Sequence, residues 1–509
     1  MHRDRSFDAE IEMTAERRAL MQDLSLDTLF QAMTTDEDFL PKPVRAAVLS
    51  PTQDLDTILY RQAVLRDCLS HEAVVRDLYR LTVEVVELEK RGYWWGFSET
   101  HPGGLLARAR EELKMLIGML ARLKSMAEKS RHIFESEGFA VFFRTLASEL
   151  PGEQLVKASH RLDELLLDGA IAITAQLGEG NKGANYGLVR PRGRLLDWTR
   201  WRLRSGKKYT LRVEPGEEGL SQALSELKDR GLDRVANALG QAADQIRAFF
   251  QMLRTELAFY IGCLNLRERL VQAGISLCFP VPLPTDDRRH VFKGLYDVCL
   301  ALELGQAVVG NDLSLSGKDL VVITGANEGG KSTFLRSIGL AQLMMQCGMF
   351  VAAQSLAAEV CTGLFTHYRR EEDTRMKSGK LDEELQRMSA MVDRLKPGCL
   401  VLLNESFAAT NELEGSAIAM QIVSALVERG IKVFFVTHLS EFARQFLQKG
   451  EAGAMFLRAE RQADGTRSFR MVEGEPLETG FARDLFNQIF GSLKKSAAQV
   501  TEDRVVPGA

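Results

Sequence analysis

The stretch Gly325-Ala326-Asn327-Glu328-Gly329-Gly330-Lys331-Ser332-Thr333 decides how this chain is read. It fits the pattern G-x-x-x-x-G-K-[S/T]. An apolar strand, Leu320 to Thr324, precedes it, and helical spacing begins at Lys331, which is the context the pattern needs. Glycines there let backbone N–H groups converge on phosphate oxygens, and the start of a helix adds a favourable field. In that setting Lys331 reaches the β- and γ-phosphates of a nucleotide and Ser332 ligates Mg²⁺.

Working outward from the loop, Asn404 stands 73 residues beyond Lys331, at the end of Leu400-Val401-Leu402-Leu403-Asn404-Glu405. Such an apolar run with polar residues at its carboxyl end reads as a buried strand delivering side chains to the sheet edge. Nucleotide hydrolases of this kind usually place an Asp at the first polar position to hold the Mg²⁺ shell. Asn404 offers an amide oxygen without the charge, so metal binding is expected to be weaker, and Glu405 is the candidate base. A further strand, Val433 to Thr437, carries His438 to the same edge, where an imidazole can sense the γ-phosphate. Ala454 to Ala459 and Arg467 to Val472 flank Asp464-Gly465 and read as a hairpin.

Upstream of the Pro-rich junction Phe279-Pro280-Val281-Pro282-Leu283-Pro284 the texture changes to helical periodicity. Thr57 to Lys90 and Leu105 to Phe134 read as long amphipathic helices. No proline interrupts Gly216 to Phe279, and a continuous helix over Leu220 to Leu264 would be about 65 Å long. A helical hairpin broken at Gly231 or Gly240 is the alternative.

Between these helical blocks the segment Lys182 to Arg212 holds ten bases: Lys182, Arg190, Arg192, Arg194, Arg200, Arg202, Arg204, Lys207, Lys208 and Arg212. Only Asp197 opposes them, so the segment carries +9 while the whole chain, with 65 Lys and Arg against 69 Asp and Glu, sums to −4. Tyr186, Trp198, Trp201 and Tyr209 are interleaved with the charges. Counterion release draws such a patch to phosphate backbones, and aromatic faces stack on bases. A solvated loop facing an acidic protein is the plainer reading.

The 509 residues suggest roughly three domains, and 45% apolar with 26% charged residues is the balance of a chain with a real core. Seven scattered cysteines without a CxxC pair argue for reduced thiols in a cytoplasmic protein, with no disulfide framework or zinc site. No run is long enough for a membrane helix and no hydrophobic signal core opens the chain.

Taken together, ITGANEGGKSTFLRSIGLAQLMMQCGMFVAA (323–353), LFTHYRREEDTRMKSGKL (364–381), LVLLNESFAATNELEG (400–415) and VFFVTHLSEF (433–442) resemble the MutS family of DNA mismatch repair ATPases, within the wider ABC-type ATPases. The resemblance implies an α/β P-loop ABC-type ATPase domain preceded by a mostly α-helical core and lever domain with a small β-containing clamp. On that plan residues 1–175 form the helical core and first levers, and 176–215 the basic β-rich clamp. Residues 216–285 form a long lever helix returning to the core, 286–491 the ATPase domain and 492–509 a flexible tail. It implies ATP and Mg²⁺ as cofactors, and nucleotide contacts from Gly325, Ala326, Asn327, Glu328, Gly329, Gly330, Lys331, Ser332 and Thr333. It also implies a homodimer in which Ser378 and Gly379 of one subunit face the triphosphate held by the other. DNA that is duplex, mismatched or branched is the implied partner, with a downstream repair protein as receiver of the signal.

Four departures accompany the likeness. About 280 residues precede the ATPase segment, so a short form without the N-terminal mismatch reader is expected, and Phe97-Ser98-Glu99 is a chance match to that reader's Phe-x-Glu wedge. Ser378-Gly379-Lys380-Leu381 lacks the family's usual Ser-Thr-Phe continuation, Glu328 replaces an apolar loop residue, and Asn404 replaces an acid. These changes motivate an alternative: a slow-turnover, nucleotide-gated scaffold that binds RNA or a protein through the basic segment. The cytoplasmic motor of a membrane transporter is a weaker third reading.

Overall fold

The buried strands Leu320–Thr324, Leu400–Asn404 and Lys432–Val436 organise the part of the fold that matters for function. A computed structural model describes residues 3–5, 7–34, 39–90, 102–164, 173–177, 183–188, 218–370, 379–449, 453–461 and 467–476. The chain divides into two units, residues 71–257 and residues 1–70 with 258–509.

The first unit is helical. It contains α5 (Glu72–Lys90), α6 (Pro102–Ser130), α7 (Glu137–Glu149), α8 (Gly152–Glu164), the antiparallel pair β1 (Ile173–Leu177) and β2 (Gly183–Leu188), and the larger part of α9 (Glu218–Gln272). Leucines at helical spacing fill its interior: Leu113, Leu116, Leu120 and Leu123 of α6 are all buried, as are Val75, Leu78 and Val85 of α5. Phe134, Phe139 and Phe143 cluster with ring centroids 4.2 to 5.8 Å apart, and Ser136 Oγ caps α7 by accepting from the Phe139 N–H.

The second unit begins with α1 (Ala15–Asp23), α2 (Leu26–Thr34), α3 (Pro41–Val48) and α4 (Leu55–Ser70). The single helix expected over Thr57 to Lys90 is therefore two, α4 and α5, broken at His71. No Gly or Pro marks the break; Ile58, Leu65 and Cys68 fill one core and Val75 and Leu78 another, so the stripe runs on through it. The long helix, by contrast, is continuous over 55 residues and bends into no hairpin at Gly231 or Gly240. A Cβ at Gly240 would meet nothing within 4 Å, so that glycine serves neither a turn nor a close approach.

The rest of this unit is mixed α/β. Its elements are β3 (Val281–Leu283), β4 (Arg289–Leu295), α10 (Val298–Leu304), β5 (Asn311–Ser316), β6 (Leu320–Thr324), α11 (Lys331–Gln346), β7 (Ser355–Glu359), β8 (Leu364–Tyr368), α12 (Lys380–Val392), β9 (Leu400–Asn404), α13 (Glu412–Glu428), β10 (Lys432–Val436), α14 (Ser440–Lys449), β11 (Ala454–Arg461) and β12 (Arg467–Glu473). A six-stranded sheet runs β12-β11-β6-β10-β9-β8, parallel except for β12, and a four-stranded sheet runs β3-β7-β4-β5. Cys399 lies just before β9, and Thr437 just after β10. Val433 pairs with Leu320 and Val401, which aligns the carboxyl ends of β6, β9 and β10 along one edge. Both faces of β6 and β10 are fully covered. Helix α11 is buried nearly throughout, and a Cβ at Gly339 would lie 2.7 Å from both Leu24 and Leu402 side chains. The architecture is thus a helical N-terminal region followed by a mixed α/β domain.

Candidate active site

The glycine loop leaves β6 and enters α11 as the sequence pattern requires. Gly325 (φ +121°) and Gly330 (φ +87°) take conformations that favour glycine. A side chain at Gly329 would sit 2.8 Å from the Ala459 Cβ and 3.1 Å from the Ala326 carbonyl oxygen, so the loop passes too close to β11 for any Cβ there.

Lys331, only 4% exposed, donates its ammonium to the carbonyls of Gly325 at 2.9 Å and Ala326 at 2.8 Å. Burial pulls its pKa down, and the Glu405 carboxylate partly opposes that. The Ser332 hydroxyl donates to Asn404 Oδ1 at 3.0 Å, which brings the two oxygen donors expected at a metal to one point.

Glu405 follows β9 in a left-handed conformation, φ +53°, and its N–H donates to the Val436 carbonyl. His438 Nε2 is 2.9 Å from Glu405 Oε1, and Arg369 Nη1 is 3.7 Å from Oε2. The hydrogen bond with His438 is the main reason the Glu405 carboxyl lies below the usual range, with Lys331 and Arg369 adding to it against partial burial. Glu405 is thus held ionised and able to accept a proton.

Bracing behind this carboxylate comes from β8 and α12. Glu384 Oε1 accepts from the Phe407 N–H at 2.7 Å, fixing a second left-handed residue (φ +68°), and His367 Nδ1 lies 2.8 Å from Ser406 Oγ. Burial lowers the His367 pKa to about 4, so this imidazole stays neutral at physiological pH.

A cavity of about 810 Å³ opens over these groups. Asn327 to Thr333, Glu405, His438 and Arg369 line it, together with the apolar Leu300, Leu304, Val308, Val309 and Phe469. Polar and apolar side chains therefore share one cleft.

Lys331, Ser332, Asn404, Glu405 and His438, read separately along the sequence, are thus brought together. Gly379 is the N-cap of α12 and does not line this cavity. Ser378, Phe97-Ser98-Glu99 and all ten bases from Lys182 to Arg212 lie outside the described residues. Three contributors escaped the sequence reading. Arg369 stands in the quoted LFTHYRREED stretch, where its place at the end of β8 was available as a signal. Arg467 of β12 pairs with Glu328 and carries no local signal, and the Asn311 amide, within the 309–313 stretch that shares a looser likeness to the same family, ties down β12 through the Phe469 carbonyl and the Met471 N–H.

The fold and cleft define a mixed α/β protein with a glycine-loop site, preceded by a helical region. Two family models match it: the MutS2 N-terminal domain over residues 53–273 and MutS domain V over residues 321–482. Both models are of MutS type, and between them they match most of the chain. Among similar proteins is the DNA mismatch repair protein MutS of Thermotoga maritima, 35% identical over 187 residues, covering 36% of this chain and 23% of that protein. A DNA mismatch repair protein MutS of Thermus thermophilus is 30% identical over 239 residues, covering 47% and 28% respectively. The matched region thus spans about a quarter of the length of these curated relatives. Among the described residues no helix is long and apolar enough to cross a membrane.

Proposed function

We propose that this protein is an ATP-dependent DNA-binding protein of MutS type, coupling ATP binding and hydrolysis in a dimer to clamping on mismatched, branched or otherwise distorted DNA. The convergence of Lys331, Ser332, Glu405 and His438 on one cleft carries the reading. In this account the loop N–H groups and Lys331 bind the phosphates, with Lys331 exchanging its carbonyl partners for phosphate oxygens. Ser332 Oγ and Asn404 Oδ1 are hard oxygen donors, 3.0 Å apart, that suit Mg²⁺ with several retained waters. That ion supplies charge neutralisation at the phosphates. Glu405 orients the attacking water and takes its proton, and His438 holds the carboxylate in line. The apolar wall of Leu300, Leu304 and Val308 takes the base.

The basic segment Lys182 to Arg212 is the DNA-binding element of this reading, and Ser378 and Gly379 complete the partner's site in the dimer. Asn404 brings an oxygen without a charge, so Mg²⁺ binding is weaker than an acid there would give. The family assignment disfavours the scaffold alternative. Phosphate release with Mg²⁺ and ATP, abolished by Glu405→Gln, tests the enzyme. Mobility shifts on duplex, mismatched and branched DNA test the binding. Equal, negligible retention of all three at low salt sinks it. Neutralising Arg200, Arg202 and Arg204 should lower the log–log salt slope by roughly 2 to 3.

A further inference from the structure

The phosphate loop contains an acid. Glu328 occupies its left-handed position (φ +58°), where a residue without a side chain would be unstrained, and it lines the cleft between Asn327 and Gly329. Its carboxylate is joined by the guanidinium of Arg467, at the start of β12 and 139 residues away in sequence. Strand β12 is itself fixed against the loop. Asn311 Nδ2 donates to the Phe469 carbonyl at 3.3 Å, Asn311 Oδ1 accepts from the Met471 N–H at 2.7 Å, and Phe469 lies 3.5 Å from where a Gly330 Cβ would be. The cation is therefore delivered by an anchored strand.

The pair is a poor stability device. Glu328 is 77% exposed and Arg467 42%, and ion pairs so open to water contribute little to folding. Its position matters more than its strength. A bare carboxylate on this loop would stand beside the N–H groups that receive phosphate, and would repel an anion in proportion to the anion's charge. Glu328 alone thus opposes the loop's own chemistry, and Arg467 cancels that opposition.

We propose that Arg467 acts as a positioning residue for nucleotide binding: by holding and neutralising Glu328 it sets the charge of the phosphate loop, and so the loop's preference between triphosphate and diphosphate. The inference rests on the nucleotide-site reading above. When the pair is intact the loop is effectively neutral and accepts the more highly charged ligand. When the pair opens, Glu328 disfavours triphosphate more than diphosphate. The β11–β12 hairpin thereby becomes a place from which nucleotide preference can be adjusted without touching Lys331, Ser332 or Glu405.

The test is a double-mutant cycle on the full chain, with fluorescent ATP and ADP analogues titrated at low and high salt. Arg467→Gln is expected to weaken the triphosphate analogue about five- to tenfold and the diphosphate less, with the loss shrinking at high salt. Glu328→Gln should leave the triphosphate affinity close to wild type, and adding R467Q to E328Q should then have little effect. R467K should retain most of the wild-type preference. An R467Q loss as large or larger in the E328Q background would overturn the proposal, because Arg467 would then be touching nucleotide directly. Equal losses for both analogues would overturn it too. Melting of each unliganded variant near the wild-type temperature shows that binding rather than folding is read. Failure of the wild type to bind either analogue would instead sink the nucleotide site, and this proposal with it.

Discussion

Replacing His290 with phenylalanine should make the mixed α/β unit less sensitive to acid. His290 is buried on β4, with ring centroids 5.8 Å from Phe292 and 5.7 Å from Phe434, and its Nε2 has no hydrogen-bond partner among the described residues. Burial, with some help from the Lys432 cation, lowers its pKa from 6.5 to about 3. In the unfolded chain the imidazole takes a proton as pH falls below 6.5, whereas the folded protein refuses it until about pH 3. Folding stability is therefore lost across that window. At pH 5 the difference is about 1.5 pK units, or about 2 kcal/mol relative to pH 8. Against a typical stability of about 5 to 15 kcal/mol that is a visible share. Burial raises the carboxyl pKa values of Asp23, Asp297 and Glu384, which work in the opposite direction, so the informative quantity is the difference between H290F and wild type. Urea unfolding followed by far-UV circular dichroism at pH 8 and pH 5 measures it. The advantage of H290F over wild type should grow by about 2 kcal/mol on acidification. A difference unchanged with pH would mean that the folded imidazole titrates freely, and the burial argument would fail.

Four further outcomes are expected. Gly329→Ala places a Cβ against Ala459 and the Ala326 carbonyl, so the loop must move and nucleotide affinity should fall at least about tenfold in a titration. Asn404→Asp adds a charge 3.0 Å from Ser332 Oγ, and the Mg²⁺ concentration giving half-maximal phosphate release should drop about tenfold. Because Glu405 is held below the usual carboxylate range, phosphate release should show no acid loss due to this group from pH 8 down to about pH 5.5. His438→Ala removes the main cause of that depression and should move the acid limb of the profile to higher pH.

What was legible in the sequence was whatever is encoded locally. The loop from Gly325 to Thr333 and the strand ends bearing Glu405 and His438 declare themselves by spacing and by apolar runs, and β6, β9 and β10 form close to the expected positions. The alternation on β4, where His290 and Phe292 face inward and Arg289 and Val291 outward, was equally readable and was passed over. The break at His71 was not readable, because helix periodicity runs straight through it and only the identity of the partner core changes. Continuity of α9 past Gly231 and Gly240 follows from the unbroken apolar spacing: a glycine weakens a helix but does not end one whose neighbours keep it. The environment of Glu328 required knowing that a residue on β12 folds back over the loop, which no short-range pattern contains.

The bond from Glu384 to the Phe407 N–H has a mechanical meaning. It mortises helix α12 to the turn that carries Glu405, and His367 closes the joint on both sides, through Ser406 Oγ and the Glu384 carbonyl. The exposed start of α12, at Gly379, is thus joined through Glu384 and Phe407 to the turn that follows Glu405.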